Sequence, residues 1–473
     1  MKQTPDETLN LQHILHQFEN CADVIHRTFP DIHTDIIYFP LLVDFKLFTS
    51  VILEPFANIQ IQELEQLFKQ SQFVEVAHSK DAVLGILEGK TAIFNGDKVF
   101  LVDVYGPKGR SVQPSQTESV IVGPHDAFVE AAGMNLSLIR RRLHSSHLKV
   151  IKCSVGEVTK NDVYILYIDR IANMEFVNEV VHRIKGIEYD AVTDGGMLSQ
   201  LFEDNSNSIF PQFLTTERPD VAVSKLVSGR IITIVDCSPT VICTPTAFFE
   251  FFSSPDDYYQ RWALGTALRV LRFSALLVAI TFTAMYVSVT TYHYEMIPQS
   301  LLITLAESRS RVPFPPVYEA FLMESMIEML REAGARLPTK IGQTIGIVGG
   351  IVIGQAAVQA GLTSNVLIIA VASSAIASFV IPSYVMSASI RLMRFGLIIM
   401  AGIWGNMGLV MGIALVIIHL SGLTSLGSSY VTPLAPMKGR DWKDVFIRAP
   451  FSLLKTRPSQ TKTPNVVRNK IRK

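Results

Sequence analysis

The stretch Ile341–Leu362, IGQTIGIVGGIVIGQAAVQAGL, constrains this chain more than any other. It is long enough to cross a bilayer as a helix and carries no charge. Gly342, Gly346, Gly350 and Gly354 recur every fourth residue and stack into one bare ridge on such a helix. Beside the ridge runs a line of Gln343, Ile347, Ile351, Gln355 and Gln359. A helix surrounded only by lipid leaves such amides without partners, at a cost. Small residues at this spacing let helix backbones approach, so one reading is a helix–helix contact. The other is a span that packs against copies of itself around a wet axis. Gln343 and Gln355 would then form polar rings on either side of an apolar constriction at Ile347 and Ile351, which gates by dewetting.

The mean hydropathy of +0.30 hides a division in the 473 residues. The first 260 or so residues are mixed and charged, whereas 270–423 is dominated by apolar, Gly and Ser residues. An α-helical membrane domain is expected over 268–437, with spans at Phe273–Thr291, Ile341–Leu362, Asn365–Met386 and Leu397–Leu420. The polar N-terminus has no apolar core of a signal peptide. Arg261, Arg269 and Arg272 flank the first span, which puts the soluble half in the cytoplasm. Four simple spans then leave Arg391 and Arg394 outside. An extra crossing or re-entrant element in 296–335, broken by Pro298, Pro313, Pro315 and Pro316, brings them inside but sends the basic tail 438–473 out, unless 421–437 dips back. Within 317–335, Glu324, Glu328 and Arg331 or Glu332 align on one helical face. They read either as an acidic vestibule beside a cation path or as an interfacial helix facing water. The tail interleaves Trp442, Phe446 and Phe451 with basic residues, as a segment touching anionic lipid would.

The soluble half reads as two small mixed α/β subdomains, 1–110 and 120–260, joined by the Gly/Pro/Ser-rich linker 106–119. Two alternating runs over 91–104 meet at Asn95-Gly96, a hairpin signal. Strands are expected at 35–43, 148–153, 163–168 and 230–235, and helices at 8–27, 59–70, 125–143, 174–185 and 196–203. No phosphate-binding, metalloprotease or nucleophile-elbow motif is present, so no catalytic, cofactor or metal residue is assigned and the chain reads as a non-enzyme without cofactor. Nothing points to nucleic acid. Asp194-Gly195-Gly196 reads as a turn and helix cap, and Asp256-Asp257 as carboxylates favouring a helix start. The four cysteines form no CxxC pair and read as reduced structural thiols.

Five strings carry a family resemblance: FPQFLTTERPD (210–220), GRIITIVDCSP (229–239), SSPDDYYQRW (253–262), VPFPPVYEAFLMESMIEMLREAGARLP (312–338) and the glycine-ridged stretch itself. The chain resembles the A subunit of the GerA-type spore germinant receptors of endospore-forming Firmicutes from about residue 75 to about 437. It departs at Cys237-Ser238, where Gly or Ser is expected before the next small residue. The resemblance implies a protein of the spore inner membrane that triggers germination in response to small nutrients. It implies partners: a transporter-like B subunit that binds the nutrient and a lipoprotein C subunit. It also implies an oligomeric, channel-forming role, with a non-conducting receptor scaffold as the rival. No germinant-binding residue carries over. A secondary transporter would show paired repeats, and 270–360 and 365–437 show none.

Overall fold

The computed structural model describes residues 10–59, 63–106, 115, 118, 120–337, 350, 352 and 354–468. Two five-stranded antiparallel sheets organise the N-terminal half. The first contains β1 (Ile25–Phe29), β2 (Thr34–Tyr38), β3 (Phe73–Val76), β4 (Thr91–Asn95) and β5 (Lys98–Val102), in the order β1-β2-β4-β5-β3. The β4–β5 hairpin pairs Asn95 with Lys98, so its central residues are Gly96 and Asp97, one position later than expected. Only Gly96 takes a positive φ (58°), as in a turn that needs glycine first. The expected helix over 8–27 is shorter: α1 covers Leu11–Gln17 and the chain is already extended at Ile25.

The second sheet contains β6 (Leu148–Val155), β7 (Asn161–Ile168), β8 (Leu214–Thr216), β9 (Ile231–Val235) and β10 (Val241–Thr244), in the order β6-β7-β9-β10-β8. Alternate residues serve opposite faces, as strand geometry dictates. Val163, Ile165 and Tyr167 pack with the helices Met174–Lys185 and Gly195–Phe202. Leu166 and Ile168 pack with Ala132–Arg142 and Pro219–Val227. The two units are joined through backbone and charge. Ala22 N donates to Val150 O at 3.0 Å, and the buried Arg140 guanidinium grips Asp23 with two bonds of 2.9 Å.

The C-terminal half is a helical bundle. Its long members are α2 (Trp262–Thr291), α3 (Gln299–Arg309), α4 (Pro316–Arg336), α5 (Asn365–Phe379) and α6 (Tyr384–Gly422). Two of them, α2 and α6, are long and apolar enough to cross a membrane. Two expected spans are redrawn. Asn365–Met386 is cut at Phe379, because Pro382 breaks the helix and a new one starts at Tyr384. Leu397–Leu420 is not one rod. Gly405 has φ 60° and ψ −140°, a conformation essentially open to glycine alone.

At Gly405 the chain turns back on itself. A Cβ on Gly412 would fall against Leu397, and one on Gly408 against the Met400 carbonyl, so 406–422 runs antiparallel to 384–404. Both ends of α6 accordingly meet the second α/β unit. Ser389 Oγ donates to Ile209 O at 2.5 Å, and His419 Nε2 lies 3.0 Å from Ser208 Oγ. The turn sits at the distal end, where Tyr292 at the close of α2 donates to the Gly402 and Ile403 carbonyls.

The fold-back returns the C-terminus to the soluble units. Residues 423–468, expected in part as a separate tail, pack on the second unit. Ser425 Oγ donates to Gln212 O at 3.0 Å, Arg457 Nε to Val227 O at 2.8 Å, and Tyr430 OH to Pro211 O at 2.5 Å. At the root of α2, Asp257 is fully buried and accepts from Arg269 at 3.0 Å and Arg272 at 2.8 Å. Asp256 and Asp257 stand in the first turn of the short helix Asp256–Tyr259, as expected, and Asp257 holds these arginines as well. Tyr258 OH donates to Asp444 of the tail at 2.7 Å. Burial, reinforced by the Asp444 charge, pushes the Tyr258 hydroxyl well above its usual range and keeps it a donor.

Gly405→Val forces a β-branched residue into a glycine-only conformation and against His293 and Tyr292. We expect the amount of full-length protein in the membrane fraction to fall several-fold. Gly396→Val, where an added Cβ meets nothing within 4 Å, should leave it unchanged; quantitative immunoblotting of membrane fractions reads both.

Candidate functional site

Inside the bundle, four helices contribute to one charge cluster. Glu324 of α4 and Arg394 of α6 are both fully buried and pair at 3.1 Å. Thr283 of α2 donates to Glu324 Oε1 at 2.8 Å, and Ser374 of α5 donates to the same oxygen at 3.1 Å. Arg394 in turn donates to Ser374 Oγ at 2.6 Å. One helical turn away, Glu328 meets Arg394 at 3.4 Å, Arg391 at 3.2 Å and Arg331 at 3.3 Å. The spacing explains the pairing: Glu324/Glu328 at i,i+4 and Arg391/Arg394 at i,i+3 each project from one helical face. Arg394 is about 15 Å along the helix from either end of the 384–404 arm, taking a rise of about 1.5 Å per residue.

The acidic-vestibule expectation is corrected for Glu324. It lies wholly within one subunit and is neutralised by Arg394, because an unpaired carboxylate at that depth would be too costly to bury. Glu328 keeps partial exposure but serves three arginines. Further along the same helix Glu332 is exposed and pairs, among the described residues, only with Arg336 of its own helix, at 2.6 Å. Among the described residues, Arg394 Nε and Arg331 Nε are buried without a hydrogen-bond partner. The arginine half went unassigned from sequence, where Arg391 and Arg394 served only as markers of membrane sidedness. Two arginines three apart in an apolar helix, opposite two glutamates four apart, were the available signal.

Of the glycine ridge and its amide line, Gly342, Gly346, Gln343, Ile347 and Ile351 lie outside the described residues. Residues 354–359 are helical. On them Ala357 faces inward to pack with Leu367 and Val371, while Gln355 and Gln359 are exposed. A Cβ on Gly350 or Gly354 would meet nothing within 4 Å. The ridge side of this segment thus contacts no other described part of the chain. In the soluble half, Asp194 acts as a helix cap, accepting from Gly196 N at 2.7 Å and from Ser238 Oγ at 2.7 Å. Cys237 takes φ 67°, which gives the glycine expected there a physical basis.

A family model described as "Bacillus/Clostridium GerA spore germination protein" matches residues 12–460. The chain belongs to the GerA spore germination family. It is 41% identical to spore germination protein GerQA of Bacillus cereus over 465 residues, covering 96% of this chain and 93% of that protein. It is 36% identical to the membrane protein YfkQ of Bacillus subtilis (strain 168) over 468 residues, covering 96% and 91%. The solved N-terminal domain of the A subunit of the Bacillus megaterium spore germinant receptor GerK3 is 25% identical, with a TM-score of 0.40, covering 52% of this chain and 99% of that one. The GerA membership identifies the chain as a germinant-receptor A subunit.

Removing one member of a buried ion pair strands the other. Arg394→Leu should cost this A subunit about 3–5 kcal/mol of stability, and Glu324→Leu a similar amount. The double substitution should recover most of the loss, because packed apolar groups replace a buried pair at little net cost. Thermal unfolding of the purified full chain in detergent, run as a double-mutant cycle, measures this coupling.

Proposed function

We propose that this A subunit is the channel-forming part of a nutrient receptor in the spore inner membrane, with its α/β units in the cytoplasm. Copies of the chain surround an axis lined by the glycine-ridged segment. The transporter-like B subunit binds the nutrient, and the lipoprotein C subunit completes the receptor. The observation that carries this reading is the face formed by Gly350, Gly354, Gln355 and Gln359, which no other described residue covers. Glycines open to space and exposed amides at Gln355 and Gln359 stand on an otherwise apolar helix. Lipid satisfies neither feature, whereas a neighbouring copy accepts the glycines and a water-filled axis accepts the amides.

In this account Ile347 and Ile351 keep the axis dry at rest. Nutrient binding favours the state in which they leave it. Residues 354–362 lead directly into α5, and α5 is held through Ser374 to both members of the Glu324–Arg394 pair. The cluster therefore supplies a mechanical link between the pore segment and the rest of the subunit. Its polar atoms that lack a partner among the described residues make it suited to a second arrangement of comparable energy.

Purified receptor reconstituted in liposomes should release monovalent cations when nutrient is added. Spores carrying Ile351→Ala should germinate without nutrient, and Gly350→Leu should abolish the response. Absence of flux through a receptor that still binds nutrient would favour a non-conducting scaffold. Full dormancy of Ile351→Ala spores at normal protein level would contradict the gate.

A further inference from the structure

A cavity of about 530 Å³ lies between the helix Pro219–Val227, the segment 247–259 and the returning C-terminal strand of chain. Six cations and four carboxylates line it. Each carboxylate is already engaged. Asp220 accepts from Arg218 at 2.8 Å, Glu250 from Lys225 at 2.6 Å, Asp441 from Ser459 N at 2.8 Å, and Asp444 from Tyr258 at 2.7 Å. Four of the cations, Arg440, Lys443, Lys455 and Arg468, have no ion pair or side-chain hydrogen bond among the described residues. The cavity wall thus carries positive charge that the protein itself does not neutralise.

Two buried side chains on the same wall are also unfinished. Among the described residues Gln460, 5% exposed, has no partner for either its amide nitrogen or its amide oxygen. Arg230, 2% exposed, has none among them for Nε. Leaving such groups unmade costs about 1–3 kcal/mol each. The occupant that completes them offers acceptors to Arg230 Nε–H and the Gln460 amide, and a donor to the Gln460 carbonyl. It also brings negative charge toward the four cations. We propose that this cavity binds a phosphate ester carrying a free hydroxyl, such as a glycerol phosphate group.

That chemistry exists both as a soluble molecule and as an anionic phospholipid headgroup. The surroundings suit the second source. Phe451 and Leu453 line the cavity and remain more than half exposed, and Trp442 and Ile447 nearby are exposed as well. Apolar side chains interleaved with lysine and arginine are what a membrane interface accepts. The site stands at the root of α2, where Asp444 joins the tail to Tyr258 and Arg269. An occupant therefore adds to the hold of the tail on the soluble unit. This inference does not depend on whether the chain conducts ions.

The test uses the full chain in phosphatidylcholine nanodiscs, titrated with sn-glycerol 3-phosphate or prepared with added phosphatidylglycerol. A ligand that binds the folded state raises the unfolding temperature in a saturable way. We expect at least one of the two probes to do so, and native mass spectrometry to retain it. A response to phosphatidylglycerol alone assigns the lipid source; a response to glycerol phosphate alone assigns the soluble one. Lys455→Gln/Arg468→Gln, at two cavity cations, should weaken the response about tenfold or more, the equivalent of one charge-assisted hydrogen bond. Gln460→Glu, nearly isosteric but anionic, should abolish it. Lys438→Gln, outside the cavity wall, should not change it. No shift with either probe, or an undiminished shift in both cavity variants, overturns the proposal.

Discussion

Asp257 is the constraint on which the membrane half depends. Fully buried at the root of α2, it binds Arg269 and Arg272, and Arg269 also reaches Asp444 of the returning tail. A buried carboxylate with two arginines is tolerated because each charge is paired and hydrogen-bonded. The consequence is topological. The beginning of the bundle and the segment that leaves it are pinned to the same face of the second α/β unit. The helices between them must start and finish on one side, and the reversal at Gly405 is what closes the count.

That closure sets the depth of the Glu324–Arg394 pair. If α6 were one straight rod, its 39 residues would be about 58 Å long at 1.5 Å per residue, far beyond a hydrocarbon core. Folded at Gly405, the arm 384–404 matches that thickness and carries Arg394 near its middle. The pair ties α2, α4, α5 and α6 together at that level through Thr283 and Ser374. A charge cluster there is worth little as net stability and much as a determinant of which helix faces which. Gly350 and Gly354, by contrast, meet no other described part of the subunit. The proposed assembly uses that side, whereas the charge cluster fixes the other.

Much of the soluble half was legible because its signals are local. The helix Met174–Lys185 and the strands β7 and β9 follow from period and turn residues, and the Asn95-Gly96 signal located its hairpin to within one position. The charge run of the tail was legible; its docking was not, because contacts such as Arg457 to Val227 span more than two hundred residues. The parity of the spans could not close from hydropathy, which sees Leu397–Leu420 as continuous apolar sequence. Gly405 looks there like any of the neighbouring glycines, and only its backbone conformation distinguishes it. The basic residues Arg391 and Arg394 were read for sidedness, an average rule, when their specific partners lay sixty to seventy residues earlier.

Side-specific labelling of single cysteines tests the topology most directly. In a Cys237→Ser background, Val312→Cys and Leu362→Cys report the distal end of the bundle and Lys438→Cys reports the returning tail. The account predicts that an impermeant thiol reagent labels positions 312 and 362 from one side of the membrane, and position 438 only from the other, the side that bears the α/β units. Labelling of position 438 from the same side as 312 and 362 would contradict it.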